Sequence, residues 1–255
     1  MKRLLSIILS LAFVLTLTVG ATSFAAKKTY VDGTYKASYD FVDSHGWKPT
    51  ITVTIKGDKI TAAKFDYVNP AGKLKTKDAA YNASMRKFSK TKTYPSLYCA
   101  QLGQSLVVKQ NPAKVDVVTG ATSSSTNFKA LATAAIAKAK KGIKTPAVLI
   151  MNDTYTATQP AFDTRGWKAQ VSLTYKSGKL VGVVFDYLNK DGKKKSDDVA
   201  YNTNMKAKTN ISSKEATEKL AANYLASGAT DVVTGATDTS KVFKELVVQA
   251  KAMRQ

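Results

Sequence analysis

An α+β fold made twice is what this sequence predicts: two tandem homologous units, each a twisted antiparallel sheet packed with helices. Three observations lead there. The heptapeptide DVVTGAT stands at residues 116–122 and again, letter for letter, at 231–237. Gly46-Trp47 matches Gly166-Trp167, Phe65-Asp66-Tyr67 matches Phe185-Asp186-Tyr187, and Tyr81-Asn82 with Met85 match Tyr201-Asn202 with Met205, all at an offset of 120. Within each unit, alternating apolar strands come first and amphipathic helices last. The two heptapeptides are offset by only 115, so the second copy has lost about five residues net between Met205 and Asp231, the mark of a duplication with one shortened loop.

The chain opens MKRLLSIILSLAFVLTLTVGATSFAAKK. Lys2 and Arg3 form a basic start, residues 4–19 an apolar core, and Ser23-Phe24-Ala25 a small-residue cleavage site, so 1–26 reads as a secretory signal peptide. A retained anchor is the alternative; the apolar core is shorter than the ~20 residues a spanning helix needs. The first unit is then expected over 29–142 and the second over 150–255. Between them KKGIKTPAVL places Gly142 as a helix stop and Pro146 as a break.

In chain order, 30–41 and 152–162 read as opening strands. Residues 47–56 alternate cleanly, with Ile51, Val53 and Ile55 on one face, and Val171, Leu173 and Tyr175 repeat the pattern. Gly57-Asp58 and Ser177-Gly178 are turn dipeptides leading into strands 59–68 and 179–188, giving a hairpin in each unit. Helices are expected near 76–90 and 196–208. Another starts at Ser212, an N-cap with Glu215 at the reciprocal position, and stops at Gly228; its counterpart over 95–109 is poorly marked. Val115–Val118 reads as a short apolar strand. After each heptapeptide comes the clearest helix of its unit, with Phe128, Leu131, Ala132, Ala135, Ile136 and Ala139 on one face and Phe243, Leu246, Val247, Ala250 and Met253 on the other copy's.

Charge and composition exclude several functions. The net charge of +21 falls to +19 once Lys2 and Arg3 leave with the signal. The lysines are dispersed and no nucleic-acid motif accompanies them, so the polyanions expected to meet this surface are anionic envelope polymers and not nucleic acid. One cysteine and one histidine cannot furnish a zinc site, and no calcium loop is present, so no metal is expected. Cys99, among Tyr98, Leu102 and Leu106, reads as a small core residue, and no cysteine stands where a lipoprotein would be acylated.

The chemistry sits in the repeated string. Thr119-Gly120-Ala121-Thr122 reads as a tight turn into a helix. Glycine permits the backbone angle, free amide groups favour a phosphate, and Thr122 or Thr237 projects a hydroxyl. The plain alternative is that Thr122 or a following serine caps the helix. A cap explains one hydroxyl but not Asp, Thr, Gly, Ala and Thr all fixed twice.

D-x-x-[ST]-G-A-T with a serine or threonine close behind resembles the flavinylation motif of the FMN-binding domain family. Members occur in sodium-pumping NADH:quinone oxidoreductases, in Rnf-type complexes and in Gram-positive surface proteins of extracellular electron transfer. The resemblance covers nearly the whole mature chain and is strongest to the two-flavin surface carriers, although those are lipoproteins. It implies two FMN groups joined by phosphoester bonds to Thr122 and Thr237, installed by a separate ApbE-type flavin transferase using FAD. It also implies motif support from Asp116, Thr119, Gly120 and Ala121, from Asp231, Thr234, Gly235 and Ala236, and from the downstream hydroxyls Ser123, Ser124, Ser125, Thr239 and Ser240. The role implied is an electron carrier more than a substrate-specific enzyme, fed by a membrane redox donor such as a quinol-linked flavoprotein.

The residues themselves fit that role. A threonine hydroxyl is a poor nucleophile without a base or metal, and His45 faces Arg165 in the repeat alignment, so no histidine is shared. Self-attachment is therefore not expected, and no residue is assigned as catalytic. Trp47 and Trp167 could stack on a flavin but read more readily as core. Tyr81, Asn82 and Met85, with Tyr201, Asn202 and Met205, are further candidate contacts. Asp66 and Asp186, inside apolar strands, need partners and read as structural. The alternative for the whole chain is a non-catalytic basic surface module without covalent flavin.

Overall fold

The computed structural model describes residues 28–255, so the expected signal peptide over 1–26 lies outside the described residues. The first unit begins with strands β1 (Gly33–Tyr39), β2 (Lys48–Lys56) and β3 (Lys59–Val68). Alternation sorts their side chains: Ile51, Val53 and Ile55 are buried, and the intervening threonines are not. Ile51 pairs with Phe65 and Val53 with Ala63 across the antiparallel ladder. Gly57 and Asp58, with φ of 59° and 60°, form the two-residue turn between β2 and β3 that twisted hairpins prefer.

Helices α1 (Ala79–Phe88), α2 (Pro95–Lys109) and α3 (Thr122–Lys141) follow. α3 lies over β1 and β2, and α2 lies over β3. Phe128 of α3 meets Phe65 of β3 edge-on at 5.3 Å, an arrangement that adds about 0.5–1.5 kcal/mol to the burial itself. α2, weakly marked in the sequence, is a full helix. Gly103 breaks its apolar pattern because a Cβ there would run into the carbonyl oxygen of Ala63.

A short strand, β4 (Ala147–Leu149), lies within the stretch expected to be linker and pairs in parallel with β1. The first sheet therefore runs β3-β2-β1-β4, antiparallel except at that edge. The element order then repeats: β5 (Asp153–Thr158), β6 (Lys168–Lys176), β7 (Lys179–Leu188), α4 (Val199–Thr209), α5 (Ser213–Ser227) and α6 (Thr237–Ala252). The second sheet is β5-β6-β7. Ser212 and Glu215 form the expected capping box, and Gly228 ends α5 at φ 73°. Met253 lies past the end of α6 and is exposed, unlike Phe243, Leu246, Val247 and Ala250.

The lost residues are not in one loop. The offset between copies is 120 at α1 and α4, 118 at α2 and α5, and 115 at the heptapeptides. Two residues are missing before α5 and three after it, where the first unit alone has a 3-10 turn at Pro112–Lys114. Each unit has its own apolar cluster. The units touch where Tyr155 Oη donates to the Val42 carbonyl and where the Arg254 guanidinium lies over the rings of Phe41 and Tyr175.

Candidate functional site

Val115–Val118 is loop, not strand. The Val118 amide, which a strand would spend on a neighbour, is instead accepted by Ser125 Oγ at 3.0 Å, and that hydroxyl donates to the Ala121 carbonyl at 2.9 Å. Ser240 does the same for Val233 and Ala236, at 3.0 and 2.8 Å. Both serines are buried, so each is a lock inside the loop. The chain reverses between Val118 and Ala121 with Gly120 at φ 79°, and between Val233 and Ala236 with Gly235 at φ 81°. That backbone angle is strained for any side chain. A Cβ on Gly120 would also strike Thr91, and one on Gly235 the Thr209 carbonyl. In the first unit the buried Thr93 hydroxyl donates to the Thr119 carbonyl at 2.8 Å; Thr119 and its counterpart Thr234 are both exposed.

Thr122 and Thr237 are the first residues of α3 and α6, one place after the N-cap, which is Ala121 or Ala236. Neither caps its helix, and both are exposed, with hydroxyls that bond to no described residue. The first helical bond is made by the Ser125 or Ser240 amide. The three amides before it in each helix have no intrahelical acceptor and point along the dipole's positive end. The motif aspartates also face solvent. Lys109 Nζ pairs with Asp116 at 2.5 Å and holds its carboxyl below the ordinary range.

Around each turn stands an aromatic wall that encloses a lysine. Lys75 is 8% exposed and Lys195 7%. Lys75 Nζ lies 5.4, 4.8 and 5.0 Å from the ring centres of Trp47, Tyr67 and Tyr81. Lys195 Nζ lies 5.8, 4.7 and 4.3 Å from those of Trp167, Tyr187 and Tyr201. Burial pushes the Lys75 pKa below the ordinary lysine value, while the Asp43 carboxylate pulls the other way. Trp47 and Trp167 are half-buried, resting on the core and flanking the ammonium. Tyr67 Oη donates to Ser124 Oγ at 2.8 Å, tying this wall to the first turn of α3, and Thr239 takes the serine's place beside Tyr187.

The backbone carrying each lysine is clamped. Asp66 accepts from the Thr76 amide and hydroxyl and from the Tyr67 amide, and Asp186 accepts likewise from Ser196 and Tyr187. These strand carboxylates are structural, as their setting implied. The Asn82 and Asn202 amides, candidate flavin contacts, are committed elsewhere. Asn82 donates to the Lys75 and Asp78 carbonyls at 3.0 and 2.7 Å and accepts from Ser96 N. Asn202 does so with Lys195, Asp198 and Lys214. Each asparagine staples the lysine turn to two helix starts and has no donor to offer a ligand.

In the second unit a cleft of about 850 Å³, within the range of small-molecule sites, has Gly235, Thr237, Tyr187, Lys195, Tyr201 and Met205 in its lining, whereas Trp167 and Asn202, expected as flavin contacts, do not line it. A smaller hollow of about 360 Å³ in the first unit lies along α1 beside Arg86 and Tyr94 and does not include Thr122. Cys99 is buried, and burial pushes its thiol pKa up, as for a core residue. Among the described residues no cluster of metal-ligating side chains is present, and no helix is long and apolar enough to cross a membrane. The lysines and the serine locks escaped assignment in the sequence. Lys75 and Lys195 lie in lysine-rich runs, and their common offset of 120 is shared by Lys73 and Lys193, so it does not single them out.

The sequence pattern described as the FMN-binding domain matches residues 46–137, which include β2, β3, the caged Lys75 and the first DVVTGAT. The 15 kDa lipoprotein of Treponema pallidum (strain Nichols) is 37% identical over 133 residues, 52% of this chain and 91% of the lipoprotein. The chain belongs to the FMN-binding domain family. Two solved structures also align with this FMN-binding domain protein. A Clostridium perfringens crystal structure is 32% identical, covering 48% of this chain and 98% of that one, with a TM-score of 0.45. A Clostridium thermocellum solution structure is 25% identical, covering 45% and 93%, with a TM-score of 0.29.

Proposed function

We propose that this FMN-binding domain protein is an exported electron carrier bearing one FMN in each unit, joined by phosphoester to Thr122 and Thr237. The observation that carries the reading is the pair of uncommitted threonine hydroxyls, each on the first turn of a long helix, with Thr237 bordering the same cleft as the buried, caged Lys195. FMN needs a place for its phosphate, a wall for its three-ring face and polar contact at the ring edge. The free amides of α3 and α6, the aromatic wall and the cleft beside Thr237 fit those needs.

The flavin supplies the redox chemistry; the protein holds and surrounds it. Gly120 and Gly235 shape the turn, Ser125 and Ser240 lock it, and Ala121 and Ala236 seat it against the core. Thr119 and Thr234 complete the reversal. Asp116 and Asp231, exposed in both copies, are offered to an ApbE-type transferase. In the attachment, threonine Oγ bonds to the flavin-side phosphorus of FAD, the pyrophosphate bond breaks, AMP leaves, and the hydroxyl proton passes to the transferase. No shared histidine stands by to take that proton within this chain.

A covalent tether suits export, where a dissociated cofactor would be diluted away. The donor in this reading is a membrane flavoprotein linked to quinol, the acceptor lies outside the cell, and the basic surface rests on anionic envelope polymers. Intact mass after co-expression with the transferase tests it. Wild type, Thr122→Ala, Thr237→Ala and the double variant should carry two, one, one and zero FMN. An unmodified wild type under conditions that load another family member overturns the reading. So does a protein that is colourless after purification from those cells, which is what a plain basic binding module would give.

A further inference from the structure

We propose that Lys75 and Lys195 are the cations that set flavin potential in the two sites, by facing the ring edge and stabilising its reduced, negatively charged form. The proposal rests on the reading above that FMN occupies both sites. A lysine nine-tenths buried normally has a carboxylate or a set of acceptors, because an unpaired buried charge costs several kcal/mol. Among the described residues Lys75 Nζ and Lys195 Nζ have no hydrogen bond and no salt bridge. Three aromatic faces surround each, and cation–π contacts of about 0.5–2 kcal/mol offset the cost only in part. What they leave is an ammonium that is not wholly sealed from solvent and has no carboxylate within ion-pair distance, Asp43 and Asp66 acting on Lys75 only from farther off.

The position is built, not incidental. Asp66 with Thr76, and Asp186 with Ser196, clamp the neighbouring residue, and Asn82 or Asn202 fastens the lysine's own carbonyl. The arrangement survives in both units although the surrounding letters differ, KLKTKD in one and KKKSDD in the other. Lys195 borders the same cleft as Thr237. The phosphate ester at Thr237 has its own electropositive partner in the first-turn amides of α6, so the ammonium is left for the ring. The oxidised ring is neutral, and two electrons with one proton leave it with a single negative charge. A fixed cation at the cleft wall therefore favours the reduced state.

The test is a reductive titration of singly loaded protein against a reference dye, with dithionite as the reductant. In Thr122→Ala, where only Thr237 can be loaded, Lys195→Met should shift the oxidised-to-reduced ratio at fixed potential at least tenfold toward oxidised. That is about 30 mV downward for a two-electron couple. Lys195→Arg should stay near the parent, and Lys195→Gln should follow Met, which covers a Met variant that folds poorly. Lys75 in Thr237→Ala should behave alike. A loaded Met or Gln variant with the parent's potential overturns the proposal. So does failure of both neutral variants to load, whether or not the Arg variant loads, since the charge would then serve attachment. If mass shows the Thr122→Ala parent itself without FMN, it is the functional reading that has failed.

Discussion

The two units hold some features rigidly and let others drift. Next to the threonine they keep the same hydrogen-bonded parts: the serine lock, the positive-φ glycine, the carboxylate clamp (on Thr76 in one and Ser196 in the other), the asparagine staple and the caged lysine. At the rim they part. Ser123 becomes Asp238, Lys77 becomes Asp197, His45 becomes Arg165, and Ser227 stands at the place of Lys109, so the Lys109–Asp116 pair has no equivalent. Internal geometry is thus what the site cannot lose, while the charge around it can be set separately in each unit.

The turn glycines give the sharpest break in this symmetry. Gly120→Ala and Gly235→Ala force a side chain to a φ near 80°, a strain of about 1–3 kcal/mol. The new methyl meets different neighbours: in the first unit Thr91, whose Oγ1 can rotate away but whose Cβ, 2.8 Å off, moves only with its loop, and in the second the Thr209 backbone carbonyl at the end of α4. Overpacking adds about 1–3 kcal/mol there. Urea denaturation should show Gly235→Ala losing roughly 3 kcal/mol or more from its unit, and Gly120→Ala about half as much from the other. Equal losses would mean that the end of α4 gives way as easily as the loop that carries Thr91.

Removing the locks should cost less and still differ. Ser125→Ala and Ser240→Ala each orphan a loop amide, a loss of about 1–3 kcal/mol when that amide is buried. Val233 is buried and Val118 only partly, so Ser240→Ala should lie toward the upper end and Ser125→Ala toward the lower. Amide hydrogen exchange at Val118 and Val233 checks the assignment directly. If the Val233 amide exchanges at the wild-type rate in Ser240→Ala, the lock is not what protects it.

Sheets and the long helices were legible because burial leaves a period in the letters. Strands 59–68 and 179–188 and the buried face of α3 follow from it without help. What misled was local. Val115–Val118 has strand composition, but its amide partner is a serine seven residues on, which no periodicity reveals. α2 is obscured by Gly103, whose reason is a carbonyl on another element. Thr122 and Thr237 stand out in the sequence through the repeated string and the family motif it resembles; their exposure and freedom from capping are properties of the fold. Lys75 was not legible at all: in a run of solvated lysines nothing local separates the one that three aromatic rings enclose.

The smallest effect tests the drifting rim. Asp238, next to Thr237, is an acid in the first turn of α6; Ser123 in α3 is neutral. A first-turn carboxylate favours its helix by about 0.3–1 kcal/mol through the dipole, yet it stands where the proposed attachment would bring a phosphate. These two consequences oppose each other. Asp238→Ser should lower stability by a few tenths of a kcal/mol while raising the rate of FMN loading at Thr237 severalfold at low salt. Ser123→Asp should do the reverse at Thr122. Timed mass spectrometry of the single-site variants reads both rates, and the differences should shrink as salt rises, because exposed charges are screened within about 10 Å at 0.1 M. A rate gap that survives high salt would assign the difference to loop shape and not to charge, and would move the loss of residues around α5 from a neutral trimming to a change in how the second site is read.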